Sequence, residues 1–413
     1  MSATLEFEII HRKVIAMRQG QTVPTDIPQL KPSRRSDVSP FYAMEVLKAA
    51  NLLKGQGKDI LYLCIGQPSV GAPRPVLETA RKAIDTDVLG YTDAMGLPAL
   101  RARISQHYKE VYGVDVPMER IMVTTGSSGA FMLAFMAAFD AGARIASAQP
   151  NYPPYMSIPL SLDLEPVKVP VDDETGFQLT AEHIDSLASG PKGLDGAMIA
   201  SPANPTGTML GRDAMRDLVG ACARNGVRLF SDEIYHGITF GKTAVTALEF
   251  TDQAVVINSF SKYFCMTGWR LGWAVLPPEL AERMEILAQH YFISPPTLSQ
   301  HAAIKAFDCT EELDAIVQSY ARNREILLNE LPSAGINHFA PADGAFYLYA
   351  DVSELTNDSP SWCQRLLNEA GVALTPGIDF DSENGTSYVR FSFAGDERHM
   401  VEAAARIRQW LGR

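Results

Sequence analysis

Lys262 lies in the segment Ser259-Phe260-Ser261-Lys262, between an apolar run (Ala254-Val255-Val256-Ile257) and a Gly268-Trp269 turn, with Arg270 eight residues further on. A desolvated lysine amine is a nucleophile toward carbonyl carbon. Two hydroxyls and a guanidinium beside it suit a phosphate, whose oxygens take charge-assisted hydrogen bonds. An aldehyde that also carries a phosphate would use both features, and pyridoxal phosphate is such a cofactor. A lone lysine is ordinarily a solvated surface charge, so the reading rests on whether other segments supply the remaining parts.

Six of them do. Asp232, in Leu229-Phe230-Ser231-Asp232-Glu233-Ile234-Tyr235, closes an apolar run, where its carboxylate can pair with a protonated pyridine nitrogen and keep the ring an electron sink. Tyr235, three residues on, can reach the ring hydroxyl. In Ser201-Pro202-Ala203-Asn204-Pro205-Thr206-Gly207 two prolines stiffen the turn, so that Asn204 is held as a donor to the ring oxygen. Thr124-Thr125-Gly126-Ser127-Ser128-Gly129 reads as a turn before an apolar helix, with Ser127, Ser128 and backbone amides forming an anion site. No G-K-[ST] follows, so it is not a nucleotide P-loop. Tyr152, in the stiff Pro150-Asn151-Tyr152-Pro153-Pro154-Tyr155 loop, can stack on a flat ring, while Tyr155 reads as packing. Tyr91, in Gly90-Tyr91-Thr92-Asp93, can offer its hydroxyl to a phosphate. Arg390, within Tyr388-Val389-Arg390-Phe391-Ser392-Phe393, is a charge inside an apolar strand pattern; a carboxylate would satisfy it, as an amino acid's α-carboxylate does. Gly66, after Leu63-Cys64-Ile65, would let that carboxylate approach bare backbone.

These residues need elements to hold them. Short apolar runs at Ile60–Ile65, Ile121–Thr124, Arg144–Ala148, Leu164–Val169, Gly196–Ala200, Val227–Ser231, Ala254–Ile257 and Gly272–Leu276 read as buried strands. Helical patterns separate several of them, notably Ala99–Tyr112, Ala130–Phe139 and Arg212–Asn225. The fold class is therefore α/β: a mostly parallel sheet with helices on both faces. After Pro278 come three helical patterns (to His290, Leu298–Phe307, Glu311–Leu331). Then strands at Ala345–Asp351 and Tyr388–Phe393 alternate with helices at Ser361–Ala370 and Glu397–Leu411, a smaller α+β domain. The expected division is an N-terminal arm over 1–39 (a short amphipathic helix at Glu6–Arg18, then a proline-rich stretch), a segment 40–70 joining the small domain, a large cofactor-binding domain over 71–297 and a small C-terminal domain over 298–413.

The 413 residues are 46% hydrophobic and 20% charged, with a formal net charge of -12. That charge argues against nucleic acid or an anionic membrane as partner. Five scattered cysteines without C-x-x-C spacing suggest reduced thiols and no metal site. The first residues lack a signal-peptide core and no run reaches membrane-span length, so a cytoplasmic location is expected.

From about Ser36 to the C-terminus the chain resembles the class I/II aminotransferases, fold type I of the pyridoxal-phosphate enzymes, through S-x-S-K-x7-R, the N-P-x-G turn and D-E-x-Y in the family's order. The resemblance implies Lys262 as the Schiff-base lysine and Asp232 on the pyridine nitrogen. Asn204 and Tyr235 fall on the ring oxygen, and Ser127, Ser128, Ser259, Ser261 and Arg270 on the phosphate. Tyr152 stacks on the ring, and Gly66 and Arg390 take the substrate carboxylate. It also implies a homodimer in which Tyr91 reaches the neighbouring active site. The acidic-substrate branch often has a lysine where Ser128 or Gly129 falls. None stands here, nor is there an obvious second arginine, so an aspartate-specific enzyme is not expected; aromatic residues near Tyr152, Tyr291 and Phe292 point to a neutral or aromatic L-amino acid as donor and a 2-oxo acid as acceptor. Two alternatives share the fold: a carbon–sulfur β-lyase with the same site residues, and a ligand-sensing regulator. The regulator would carry a basic DNA-binding domain in front, which the acidic chain and its short leading segment do not suggest.

Overall fold

The strands run in chain order as β1 (Leu61–Tyr62), β2 (Ile121–Thr124), β3 (Arg144–Gln149), β4 (Glu165–Pro170), β5 (Gly196–Ala200), β6 (Arg228–Asp232), β7 (Val255–Ser259), β8 (Gly272–Val275), β9 (His338–Phe339), β10 (Tyr347–Asp351), β11 (Val372–Ala373), β12 (Thr375–Pro376) and β13 (Tyr388–Ser392). This is a computed structural model that describes residues 30–413. The helix expected over Glu6–Arg18 and most of the N-terminal arm lie outside the described residues. Residues 30–37 contain one 3-10 turn, Arg34–Ser36, started by Ser33, whose hydroxyl accepts from the Arg35 amide.

Within residues 38–413, seven strands form one sheet in the order β2-β8-β7-β6-β5-β3-β4. From β4 to β7 all pairings are parallel, and β8 runs antiparallel to both its neighbours. The central strands are largely apolar because both faces are covered, whereas the edge strand β4 carries Glu165 and Lys168. Ile121, Val123, Ala146, Ala197, Ile199, Leu229, Val256, Trp273 and Val275 feed one core. Met122, Ile145, Met198, Phe230, Val255, Ile257 and Ala274, at the alternate positions, feed the other. Helices Pro98–Tyr112, Arg212–Asn225 and Thr297–Ala306 cover the first face through Leu100, Ile104, Met215, Leu218 and Ala302. Helices Gly126–Ala138 and Pro278–Tyr291 cover the second through Phe131, Phe135, Leu280 and Met284.

A four-stranded antiparallel sheet, β12-β13-β10-β9, packs with helices Thr310–Glu330, Ser359–Ala370 and Glu397–Trp410 around Leu327, Leu366, Phe391 and Ile407. Backbone hydrogen bonds tie this sheet to loops of the large one and to the segment after β1, which pairs with β11 in a separate two-stranded sheet. Gly344 N donates to Gly207 O (2.8 Å), Ala345 N to Ile238 O (3.0 Å) and Ser392 N to Leu63 O (2.8 Å). The loops after β5 and β6, the segment after β1, and strands β10 and β13 therefore meet at one place.

Candidate active site

Parallel strands end on a common edge, and ligands of open α/β sheets bind there. That edge carries the loops after β2, β3, β5, β6 and β7, which hold Gly126–Ser128, Tyr152, Asn204, Tyr235 and Lys262 in turn.

The phosphate-binding candidates converge through bare backbone. Strands β7 and β8 pair antiparallel with Ser259 opposite Gly272, so the connecting loop doubles back and returns Arg270 beside Ser261. Arg270 takes a left-handed φ of 52° and its Nη1 donates to Thr267 O at 3.1 Å. The Ser259 hydroxyl lies 2.9 Å from Ser261 Oγ and accepts the Ser261 amide at 3.1 Å. A Cβ on Gly272 would stand 2.8 Å from Ser127 N, and one on Gly126 would stand 2.6 Å from Arg270 Nη2. Only glycines let the helix start, the strand and the guanidinium come this close. The expected Gly126–Gly129 turn is corrected: Gly126 already opens the helix Gly126–Ala138. The special φ (+69°) is confined to Gly126, and the small residues after it continue into helix. The consequence favours an anion, because the first amides of a helix have no intrahelical acceptor. Ser127 is half-buried there and Ser128 exposed.

Deeper in, Asp232 is 2% exposed at the end of β6. Its Oδ2 accepts from Tyr155 Oη at 2.5 Å and its Oδ1 from Ile234 N at 3.1 Å. Burial raises its carboxyl to about 6 against the pull of the Tyr155 bond. Tyr155, read as packing from sequence, is thus a hydrogen-bond partner of Asp232. Tyr155 sits on the first turn of helix Pro154–Ser161, and its contact with Asp232 spans 77 positions, so no local spacing signalled it.

Lys262 Nζ donates to Gly66 O at 2.6 Å. Burial first, then the nearby Arg390, lowers its amine to about 8, with Asp232 pulling the other way. About a tenth of the amine is therefore neutral, and nucleophilic, at pH 7. Tyr235 Oη lies 2.7 Å from Tyr347 Oη, a residue that sequence reasoning missed. Arg390, 2% exposed, donates from Nη1 to Asn204 Oδ1 (2.9 Å) and from Nη2 to Cys64 O (2.8 Å) and Thr375 Oγ1 (3.2 Å). Its Nε is buried without an acceptor, and no carboxylate pairs with it among the described residues. The rings of Tyr347 and Phe380 flank the guanidinium at 4.3 and 4.7 Å. Gly66 is a close-approach position: a Cβ there would meet Tyr347 Oη.

Tyr152 is half-buried, edge-on to Phe41 (5.9 Å) and Tyr155 (5.4 Å). Burial, Tyr347 and Asp232 raise its hydroxyl's pKa, which places the ring amid these groups. Tyr91 is 82% exposed on a loop tied down by Thr297 Oγ1 to Gly90 O (2.6 Å) and by Gln300 to Leu97 N (2.7 Å). It points to solvent rather than into its own chain's cluster.

The donor set fits a phosphorylated pyridine aldehyde: an amine of lowered pKa, a buried carboxylate, hydroxyl and amide donors at a helix start, and a buried arginine with no carboxylate hydrogen-bonded to it among the described residues. No helix among the described residues is long and apolar enough to cross a membrane.

Residues 58–407 match the family model for aminotransferase class I and II. A valine–pyruvate aminotransferase of Mycobacterium tuberculosis is 46% identical over 381 residues, which cover 91% of this chain and 97% of that protein. The crystal structure of an aminotransferase from Mycobacterium tuberculosis gives a TM-score of 0.90 at 45% identity, over 93% of this chain and 100% of that one. Aspartate aminotransferase from Thermus thermophilus, solved with maleate, gives 0.86 at 29% identity, over 92% and 100%.

Proposed function

Since the chain belongs to the class I and II aminotransferases, a family that works with pyridoxal phosphate, we propose that it moves the amino group of a neutral L-amino acid to a 2-oxo acid at Lys262. The observation that carries this reading is Arg390: a buried guanidinium with an unpaired Nε, beside Asn204 and within electrostatic reach of Lys262 and Asp379, and with no carboxylate hydrogen-bonded to it among the described residues. A buried cation persists poorly without an anion, and an amino acid supplies one. We assign valine or a similar neutral donor and pyruvate as acceptor, supported by the relative of that activity. A cavity of about 330 Å³ borders Arg390 through Phe380; Tyr42, Met156 and Ile378 give it an apolar wall, and Lys168 and Asp379 also line it.

The bound cofactor supplies an electron sink for the charge left on the substrate carbon. Arg390 fixes the substrate carboxylate and so orients the Cα–H bond. Lys262 Nζ takes the Cα proton and returns it during transfer, a role suited to an amine lowered to about 8. Asp232, steadied by Tyr155, would hold the pyridine nitrogen's proton. Asn204 Nδ2 and Tyr235 Oη would face the ring oxygen, and Tyr152 would cover the ring. Ser127, Ser128, Ser259, Ser261 and Arg270 would hold the phosphate. Tyr91 would complete the site of a second copy in a homodimer, which its exposure and that of Val88 (98%) support.

Visible spectra of the protein loaded with pyridoxal phosphate, taken with single amino acids, test this. Bleaching by valine and recovery with pyruvate is the expected result. Release of pyruvate and ammonia from a cysteine conjugate without bleaching would instead favour the carbon–sulfur lyase. A protein that takes up no cofactor would refute the reading of Lys262.

A further inference from the structure

We propose that Tyr347 is a positioning residue that sets the direction of the Tyr235 hydroxyl proton and, with its ring, steadies Arg390. The proposal rests on the pyridoxal-phosphate reading above and deepens it.

Tyr347 opens β10 and is 1% exposed. One side chain touches three parts of the site. Its Oη lies 2.7 Å from Tyr235 Oη, and it fills the space where a Cβ on Gly66 would stand 1.7 Å away. The face of its ring lies 4.3 Å from the Arg390 guanidinium. Gly66 in turn carries the carbonyl that accepts from Lys262 Nζ.

The direction of the Tyr235–Tyr347 bond follows from what Tyr235 must do. Burial raises both phenol pKa values, so both hydroxyls are neutral and each holds one proton. The pair shares one hydrogen bond, so either Tyr347 donates to Tyr235 or the reverse. The charged and titratable groups that face Tyr235 are Lys262, Arg390, Tyr152 and Tyr155, and none is hydrogen-bonded to its hydroxyl. If Tyr235 is to give its proton to the ring oxygen of the cofactor, Tyr347 must be the donor within the pair. A donor on the Tyr235 oxygen polarises its O–H bond and makes it the stronger donor outward. It also stops the hydroxyl from turning back toward Tyr347.

Phenylalanine at 347 keeps the ring and removes only the hydroxyl; leucine removes both. Three readouts separate these effects. In the protein loaded with pyridoxal phosphate, the pH midpoint of the visible absorption change should move up by about 0.5–1 unit in Tyr347→Phe, the size of one lost hydrogen bond. Tyr235→Phe should shift it further, and the double variant should match Tyr235→Phe alone, because Tyr347 acts only through Tyr235. The KM for the amino acid should stay within about twofold in Tyr347→Phe and rise about 3- to 30-fold in Tyr347→Leu, the range of a buried cation–π contact. In the unloaded protein, melting of the same single and double Phe variants should show coupling between 235 and 347.

An unmoved midpoint in Tyr347→Phe, additive shifts in the double variant, or equal KM rises in the Phe and Leu variants would overturn the proposal while leaving the transaminase reading intact. A wild-type protein with no visible band would refute that reading, and this proposal with it.

Discussion

Lysine in place of Arg390 keeps the positive charge and removes the planar fork. The native guanidinium reaches Asn204 Oδ1 (2.9 Å), Cys64 O (2.8 Å) and Thr375 Oγ1 (3.2 Å) at once. An ammonium on a single-ended stem cannot reach all three and still meet a carboxylate with two parallel bonds. Losing one of two charge-assisted bonds to the substrate costs about 1.5–3 kcal/mol, and one protein acceptor left unpaired adds about 1 kcal/mol. The sum, about 2.5–4 kcal/mol, corresponds to a fall of roughly 70- to 1000-fold in kcat/KM. The assay is the spectral half-reaction of the loaded enzyme with valine. It is run beside the amine that valine would leave on losing its carboxylate. The carboxylate-free amine should be used equally by wild type and Arg390→Lys, because it never engages residue 390. A loss under threefold with valine, or the same loss with the amine, would refute the assignment of Arg390 to the substrate carboxylate.

Three further outcomes follow from the geometry. Tyr155→Phe removes the 2.5 Å bond to Asp232 Oδ2, which opposes the upward push of burial. Cofactor affinity at pH 7, followed by fluorescence titration, should drop about tenfold or more, the worth of one charge-assisted bond. The Asp232 carboxyl is raised from 3.8 to about 6, so the unloaded fold has its full contribution below pH 4 and loses it as pH rises through 6. Unloaded Asp232→Asn should therefore gain stability over wild type at pH 8, of the order of 3 kcal/mol and read as a higher melting temperature, and lose that gain toward pH 4. Gly66→Ala drives a methyl to 1.7 Å from Tyr347 Oη, inside contact distance. Overpacking of this kind costs about 1–3 kcal/mol, which thermal melting would register.

How far the site was legible from residue order depends on what each residue needed. Two strands, Ile121–Thr124 and Gly196–Ala200, stand where their apolar runs placed them, and the other strands of the large sheet differ by a residue or two at their ends. A strand covered on both faces writes itself as a continuous apolar run, so it needs no knowledge of its neighbours. The Ser-x-Ser-Lys segment, the stiff Asn204 turn and Asp232 at the end of its strand were readable for the same local reason. Helix Arg74–Thr86 also carried a pattern, with Val76, Ala80 and Ala83 on its buried face, that the strand-centred reading passed over.

Other features depended on pairing between distant segments. Tyr347 meets Tyr235 across 112 positions and Arg390 meets Asn204 across 186. Both contacts depend on β10 and β13 being sewn to the loops after β5 and β6, which no local propensity encodes. Tyr155 became a partner of Asp232 only when β3 and β6 ended on the same edge. Composition and periodicity alone thus determined a two-faced parallel sheet with reactive residues at its strand ends, because burial and turn chemistry act over a few residues. Which hydroxyl touches which, and that no carboxylate among the described residues hydrogen-bonds the buried arginine, was decided by tertiary packing, because those distances are set by strand order and register between segments far apart in the chain.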